Sequence, residues 1–494
     1  MSTPRDLPAA LRRTSTLAVA LLLVLPGTAA LSAGWASAVP GVTCSAERDY
    51  DTDNGDLDGD GGSDPVIGMP NLGAVDVHLA SGARRLTETE LTATPSGRFG
   101  TAVTMAYVDA DACGDLIVSA PGTGGVDGSV YLIPGSDTGP VPSAAVRLRA
   151  PTGAGSSWGT SVALIPTAHT LAVGAPSSPL APNGGGAVLL YPLATDGTPG
   201  APTLVTQGAG GIPGVSEAGD QFGATLAATR WDALAVGAPG EAVGVQSGAG
   251  AVTVLTFTGP ATFAAAVFTQ NSSGVPGTAE TGDHFGAALA ALGTFLAVGV
   301  PGETVGTATR TGVVDVLLLS PPEASGPVLL HTARQYSQDS SRVPGTNEAG
   351  DRWGTAIALG VIDEDLKVVV GAPYENIGSA ADAGSVTMFG ISCRCAGVRW
   401  TQGSRPVGGR AEKGDHFGWS LATLPSRDAE EDTTDSFVVG SPGEDLSGVM
   451  DAGYAHLIRN VRFGRTTVSA LRPVGGPRTG LGYGSVLGAP HIRG

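Results

Sequence analysis

The chain predicts an all-β fold, a seven-bladed β-propeller whose ring is closed by a C-terminal strand joining the first blade. Two recurrences and their offset predict it. An aromatic-Gly pair occurs seven times, as Phe99-Gly100, Trp158-Gly159, Phe222-Gly223, Phe285-Gly286, Trp353-Gly354, Phe417-Gly418 and Tyr483-Gly484, at spacings of 59 to 68 residues. A short apolar run ending in Gly-Ala-Pro or a close variant also occurs seven times: at Gly68-Met69-Pro70, Ser119-Ala120-Pro121, Gly174-Ala175-Pro176, Gly237-Ala238-Pro239, Gly299-Val300-Pro301, Gly371-Ala372-Pro373 and Gly440-Ser441-Pro442. Such a period, with four strands in each unit, suits propeller blades. The first Gly-x-Pro has no aromatic-Gly before it, and the last aromatic-Gly has no complete repeat after it. The segment 482–490 therefore supplies the strand missing from the first blade, which removes free sheet edges.

Taken in order, the N-terminus carries Arg5, Arg12 and Arg13, an apolar run from Leu17 to Leu25, and a small-residue cleavage site at Ala36-Ser37-Ala38. This reads as a secretory signal peptide over 1–38, followed by one propeller domain over 39–494. The repeats fall near 51–80, 98–150, 157–208, 213–270, 276–338, 344–402 and 408–470, with the closing strand near 482–490. No second long apolar stretch follows, so the expectation is a secreted, extracellular protein without membrane insertion. Removing Arg5, Arg12, Arg13 and Asp6 takes the formal charge from −18 to −20. That balance disfavours nucleic acid and anionic lipid, which reward clusters of Lys and Arg.

The unit from Val275 to Leu319 is the clearest. A turn-rich loop, Pro276 to Asp283, leads into Phe285-Gly286. The strand Ala287–Leu292 is built of small residues suited to a crowded axis. Phe295–Gly299 follows and is stopped by Pro301, which has no N–H to give a ladder. Gly312–Leu318 forms a third strand, and Ala333–Gln338 a fourth. The loop pattern Glu-x-Gly-Asp recurs with Glu217 and Asp220, Glu280 and Asp283, Glu348 and Asp351, and Glu412 and Asp415. A carboxylate repeated at one register accepts backbone N–H bonds from a neighbouring loop more readily than it performs catalysis.

The sharpest chemical signal is Asp56-Leu57-Asp58-Gly59-Asp60-Gly61-Gly62-Ser63-Asp64, just before the strand Val66-Ile67-Gly68. Carboxylates at the first, third, fifth and ninth places, with the Gly62 carbonyl at the seventh, form the oxygen cage of a calcium loop. Hard oxygen donors suit Ca²⁺, and clustered His or Cys ligands are lacking. Asp109 to Asp115 is a copy two residues short, with Cys113 at its fifth place. A second, weaker calcium site falls near Asp428, Glu430, Asp432 and Asp435, which lack the glycine. Four cysteines in an exported chain allow three disulfide pairings. Cys393 and Cys395 are too close for an easy bridge, and a Cys44–Cys113 bond would staple the first blade to the second.

Three apparent motifs dissolve into the repeat. Gly155-Ser156-Ser157-Trp158-Gly159 matches a nucleophile pattern, but its Trp158-Gly159 is an aromatic-Gly pair and no helix follows. His284 and His416 share a variable repeat position with Arg98, Gln221 and Arg352. Lys413-Gly414-Asp415 is one more Glu-x-Gly-Asp loop. Asn271-Ser272-Ser273 is a glycosylation sequon.

These residues resemble the FG-GAP repeats of the integrin α-subunit N-terminal domain, and more closely the exported bacterial proteins built only from such repeats. The resemblance spans about Asp51 to Pro490 and implies a seven-bladed propeller with calcium in loops on one face. In integrins the site for protein ligands lies on the opposite face. Only one complete calcium loop is kept here. The expectation is a secreted, non-catalytic, monomeric binding or adhesion protein presenting loops to an extracellular protein or glycan. The alternatives are an extracellular hydrolase or lyase on the same scaffold, and a structural envelope component. Scattered His78, His169, His331 and His456 offer no clustered catalytic group, and Trp231, Tyr374 and Trp419 are candidate exposed aromatics for a ligand.

Overall fold

The computed structural model describes Cys44 and residues 55–490, apart from 230–231, 260–261, 323–325, 363–364, 393–394, 426–435 and 460–465. The predicted signal peptide and the acidic stretch Asp428, Glu430, Asp432 and Asp435 lie outside the described residues, as does Trp231. What is described is almost entirely β, with one short helix at Glu88–Leu91 and two 3₁₀ turns. None of its helices is long and apolar enough to cross a membrane.

The strands form antiparallel meanders of four, giving five four-stranded sheets and one eight-stranded sheet. The eight-stranded sheet is two meanders joined by a two-residue parallel pairing, Ala489 with Thr104 and Pro490 with Met105. In one of them Val486–Pro490, from the C-terminal end of the chain, pairs antiparallel with Val66–Met69. The outer strand of this first meander is Gly82–Thr87, beyond the 51–80 span read from the repeat, because its register follows the short turn after Ala74–Leu79.

The innermost strands are Val103–Ala106, Ser161–Ile165, Thr225–Thr229, Ala288–Leu292, Ala356–Ile362, Leu421–Leu424 and Val486–Pro490. Residues from all of them line one central cavity of about 200 Å³. Meanders arranged around a common axis in this way form a β-propeller. Small side chains such as Ala163, Ala227, Ala290, Ala358 and Ala422 line that cavity, since crowding at the axis leaves room for little else.

The second strands are buried along their whole length, for example Asp115–Ala120, Thr170–Ala175 and Ala233–Ala238. Each lies inside a sheet covered on both faces, so it reads as a continuous apolar run instead of an alternating one. Outer strands are more open to water, as Leu329–Tyr336 is, none of its residues being buried. The core thus sits between neighbouring sheets. One cluster joins Val66, Ile67 and Val75 of the first meander to Leu424, Val438, Leu457 and Tyr483.

The two sequence motifs meet across these junctions. All seven aromatic side chains are fully buried. A methyl group on Gly68, Gly174, Gly237, Gly299, Gly371 or Gly440 would overlap the carbonyl oxygen of Gly100, Gly223, Gly286, Gly354, Gly418 or Gly484, respectively, in the adjoining sheet. Glycine in the Gly-x-Pro motif is therefore set by close backbone approach. At five junctions the aromatic residue's N–H also donates to a carbonyl just before the neighbouring third strand, as from Phe285 to Ala249 at 2.9 Å and Trp353 to Thr311 at 2.8 Å.

The residues following Glu-x-Gly-Asp are not merely variable surface positions. Gln221, His284, Arg352 and His416 have φ of 61°, 59°, 52° and 54°. His284 and His416 turn their Nδ1 to the Pro239 and Pro373 carbonyls at 3.0 and 3.1 Å. His456, on the strand Tyr454–Arg459, is enclosed by the Phe417 and Tyr454 rings with its Nδ1 unpartnered. Burial pushes its pKa down to about 4.

Replacing Gly371 with Ala is expected to cost about 3 kcal/mol, the upper range for forcing a group into a packed core, read as a lowered urea midpoint. An unchanged midpoint would refute the close approach. For His456, protonation favours the unfolded chain, whose histidine titrates near 6.5, so its contribution is complete above that pH and is lost as pH falls toward 4. At about 1.4 kcal/mol per unit this amounts to roughly 3 kcal/mol. His456→Leu, which places at this position the residue that Leu189 supplies in another meander, should abolish that part of the acid sensitivity in melts from pH 7 to 4.

Candidate metal centre

The loop before Val66 folds on its own carboxylates. Gly59 and Gly61 take φ of 71° and 84°, which lets the chain reverse twice within a few residues. Gly61 N–H donates to Asp56 Oδ2 at 2.6 Å, Asp60 N–H to Asp56 Oδ1 at 3.2 Å, and Gly62 N–H to Asp60 Oδ1 at 2.8 Å. At the loop's neck, Asp64 N–H reaches the Gly55 carbonyl at 3.2 Å. Leu57 N–H reaches Asp64 Oδ2 at 2.8 Å.

Carboxylate oxygens of Asp56, Asp58 and Asp60 lie within 4.8 Å of one another. Asp64 is not in that group. It is nearly inaccessible and directs Oδ2 to the Leu57 amide. Gly62 is brought against Asp60 through its N–H. Burial, then the neighbouring aspartates, raise the Asp58 pKa, and burial raises Asp56 despite its backbone donors. Asp64 is pushed up to about 8, chiefly by burial. Like charges this close stabilise one another's protonated forms unless a cation stands among them. Three convergent carboxylates on a tight loop fit a hard divalent cation, which takes oxygen ligands in flexible geometry.

The shortened loop behaves differently. Asp115 accepts Val108 N–H at 2.6 Å and Gly135 N–H at 3.0 Å, so both its oxygens serve the backbone. Asp109 and Asp111 accept Asp111 and Cys113 N–H at 2.9 and 3.0 Å. This loop packs against the first through Gly114 N–H and the Asp56 carbonyl at 2.6 Å. Cys113 is bonded to Cys44, with Cα atoms 5.8 Å apart. No described cysteine is a free thiol.

A second acidic arrangement recurs at the other ends of the second strands. In the Glu-x-Gly-Asp loops, Asp220, Asp283, Asp351 and Asp415 accept the N–H of Glu217, Glu280, Glu348 and Glu412 at 2.5, 2.5, 3.0 and 2.6 Å. The acceptor thus serves its own loop, not a neighbouring one, because the turn brings that amide back three residues. Beside each aspartate stands a glutamate after the Gly-x-Pro motif. Gln207 donates to Glu241 at 2.5 Å, Gln270 to Glu303 at 2.5 Å, Gln338 to Glu375 at 2.6 Å, and Gln402 to Glu444. Burial first, then the adjacent acids, push Glu303 and Glu444 up to about 7. Sequence reasoning missed these glutamates. Their signal was present in the repeated Pro-Gly-Glu, in Pro373-Tyr374-Glu375, and in the glutamine two residues beyond four of the outer strands, but nothing along the chain says that the two meet.

The central cavity is lined by Val, Leu, Ile, Ala and Pro side chains with Thr104 and Thr423, and by no titratable group among the described residues. Ser157 accepts Ser177 N–H at 3.0 Å on the surface. Tyr374, His416 and Trp419 form a half-buried aromatic group, with ring centroids 5.2 to 6.2 Å apart. The Arg352 guanidinium stands 4.7 Å over Tyr374.

No family model matches the chain, and no curated protein matches it. Among solved structures it is similar to a periplasmic gluconolactonase of Pseudomonas aeruginosa, at 12% identity and a TM-score of 0.42, over 84% of this chain and 97% of that one.

If the loop holds a divalent cation, calorimetric titration of the mature protein with Ca²⁺ should lose one equivalent in Asp58→Ala with Asp60→Ala. The rise in melting temperature between chelator and excess Ca²⁺ should shrink with it. Equal stoichiometry in wild type and variant would remove the metal from this loop.

Proposed function

We propose that the protein is an exported, calcium-stabilised binding propeller of the FG-GAP type. In this reading residues 1–38 are a signal peptide and 39–494 form seven blades, with the strand at Val486–Pro490 closing the ring on the first blade. The pairing of that strand with Val66–Met69 supports the closure. The glycine-to-carbonyl contacts at successive junctions support the repeat type. Calcium at Asp56, Asp58 and Asp60, with Asp64 and Gly62 completing the loop, clamps the first blade to the second beside Cys44 and Cys113.

The observation that carries the binding reading is the contrast between the axis and the rim. The cavity at the axis offers no titratable group among the described residues, its polar side chains being Thr104 and Thr423. The rim offers an amphipathic cluster, Arg352, Tyr374, His416 and Trp419, of the kind that holds sugars or peptide side chains through ring faces and polar edges. A monomer presenting that cluster to an extracellular glycan or protein accounts for both. Hydrolase or lyase chemistry, and a purely structural envelope role, are the competing readings.

Immobilised mature protein should retain defined members of a glycan and peptide array, and Tyr374→Ala with Trp419→Ala should weaken that retention at least tenfold while a cooperative melt shows that the variant is still folded. Release of cleaved products instead of retention would favour an enzyme. Retention unchanged in the variant would move the binding face elsewhere.

A further inference from the structure

The pocket between Glu348, Asp351 and Glu375 is built differently from a solvated acidic patch. One oxygen from each carboxylate lies within 4.8 Å of the others. Asp351 is 1% exposed, and while its Oδ2 accepts the Glu348 amide, its Oδ1 has no partner. Gln338, also 1% exposed, donates its Nε2 to Glu375 Oε2, and its Oε1, on the same amide beside that carboxylate, is unpartnered too. Two buried acceptors facing carboxylates are costly when left unsatisfied.

The charges point the same way. Arg399 reaches Glu375 Oε1 at 2.7 Å. Three carboxylates and one guanidinium leave two negative charges, the complement of one divalent cation. Glu348 is solvent-exposed, so the pocket has an entry. The same parts recur with Gln207, Gln270 and Gln402, whose Oε1 atoms are likewise buried without partners. Only in the loop of Glu348, Asp351 and Glu375, among the described residues, do the three carboxylates also converge within 4.8 Å.

We propose that Gln338, Glu348, Asp351 and Glu375 form a divalent-cation site, lined by carboxylate and amide oxygens and suited to Ca²⁺, separate from the Asp56–Asp60 loop. The two lie on opposite rims. The aspartate loop enters the second strand of its meander at Val66, whereas Glu375 leaves the second strand Asp365–Ala372 of its own. Arg352 and Tyr374 adjoin Asp351 and Glu375 in sequence, which sets the cation beside the aromatic cluster.

Terbium is a luminescent stand-in for Ca²⁺, and the fully buried Trp353, two residues from Asp351, is its natural sensitiser. The titration uses mature protein carrying Asp58→Ala and Asp60→Ala, so that loss of the loop site is read separately from this one. Trp353→Phe, which places here the residue found at Phe222, Phe285 and Phe417, defines the Trp353-dependent emission by difference. That emission should saturate, be displaced by Ca²⁺, shift at least tenfold to higher terbium in Glu348→Gln, and vanish in Asp351→Asn. Because Glu348 is exposed, its variant keeps the fold, checked by an unchanged melt in chelator. Absence of a Trp353-dependent signal, or the same midpoint in Glu348→Gln, would overturn the site.

Discussion

The structure depends on one close contact, the carbonyl of an aromatic-Gly pair resting on the glycine of a Gly-x-Pro motif in the adjoining sheet. At six of the junctions it brings two backbones to a separation that a side chain on that glycine would not permit, and the buried aromatic ring fills the wedge beside it. Sheets of small residues such as these bury modest area each, and a Phe, Trp or Tyr at each junction supplies much of the apolar surface that holds them together. Where Ser119 takes the place of glycine, its hydroxyl accepts Ala102 N–H at 2.9 Å, so the exception is absorbed by a hydrogen bond.

Packing sheets face to face around an axis divides the molecule chemically. The axis receives alanine, valine and leucine because space is short, and polar groups are displaced to the loops at either end of the strands. There the chain buries acids at a cost that must be met locally. Backbone amides meet it for Asp115, and Arg85 meets it for Asp76 at 2.7 Å. Lys367 does so for Asp365 at 2.8 Å. Asp315 is left neutral instead, burial holding its carboxyl well above the usual carboxylate range, while Asp351 Oδ1 has no protein partner and a hard cation is the chemistry that could supply one.

Disulfide and hydrogen bonds near the first loop draw the two ends of the chain's first repeats into one unit. Cys44 reaches Cys113, Gly114 reaches Asp56, and Ser63 reaches the Pro425 carbonyl at 3.1 Å. A cation at this point would sit where several separately folded loops converge, so its effect on stability would exceed that of a ligand on a single turn. The aromatic group around Tyr374 lies at the other ends of the strands, and so the rim that is tied together is not the rim that displays ring faces.

The all-β propeller class was legible in the sequence because its determinants are local and repeat. Glycine where backbones touch, aromatics at the wedges and proline after the second strand are each marked by a short motif that returns in one unit after another. The convergence of Asp56, Asp58 and Asp60 was legible for the same reason, since alternate residues of one tight loop meet by geometry alone. What the sequence could not display are partnerships between loops 33 to 42 residues apart, such as Gln270 with Glu303 or Gln402 with Glu444. Such pairs acquire neighbours only once the sheets are stacked, and the burial that raises their pKa values exists only in the packed structure. Tertiary structure alone decided that Asp64 turns to the Leu57 amide, that His456 is enclosed by rings, and that each glutamate after the second strand accepts a glutamine side-chain N–H.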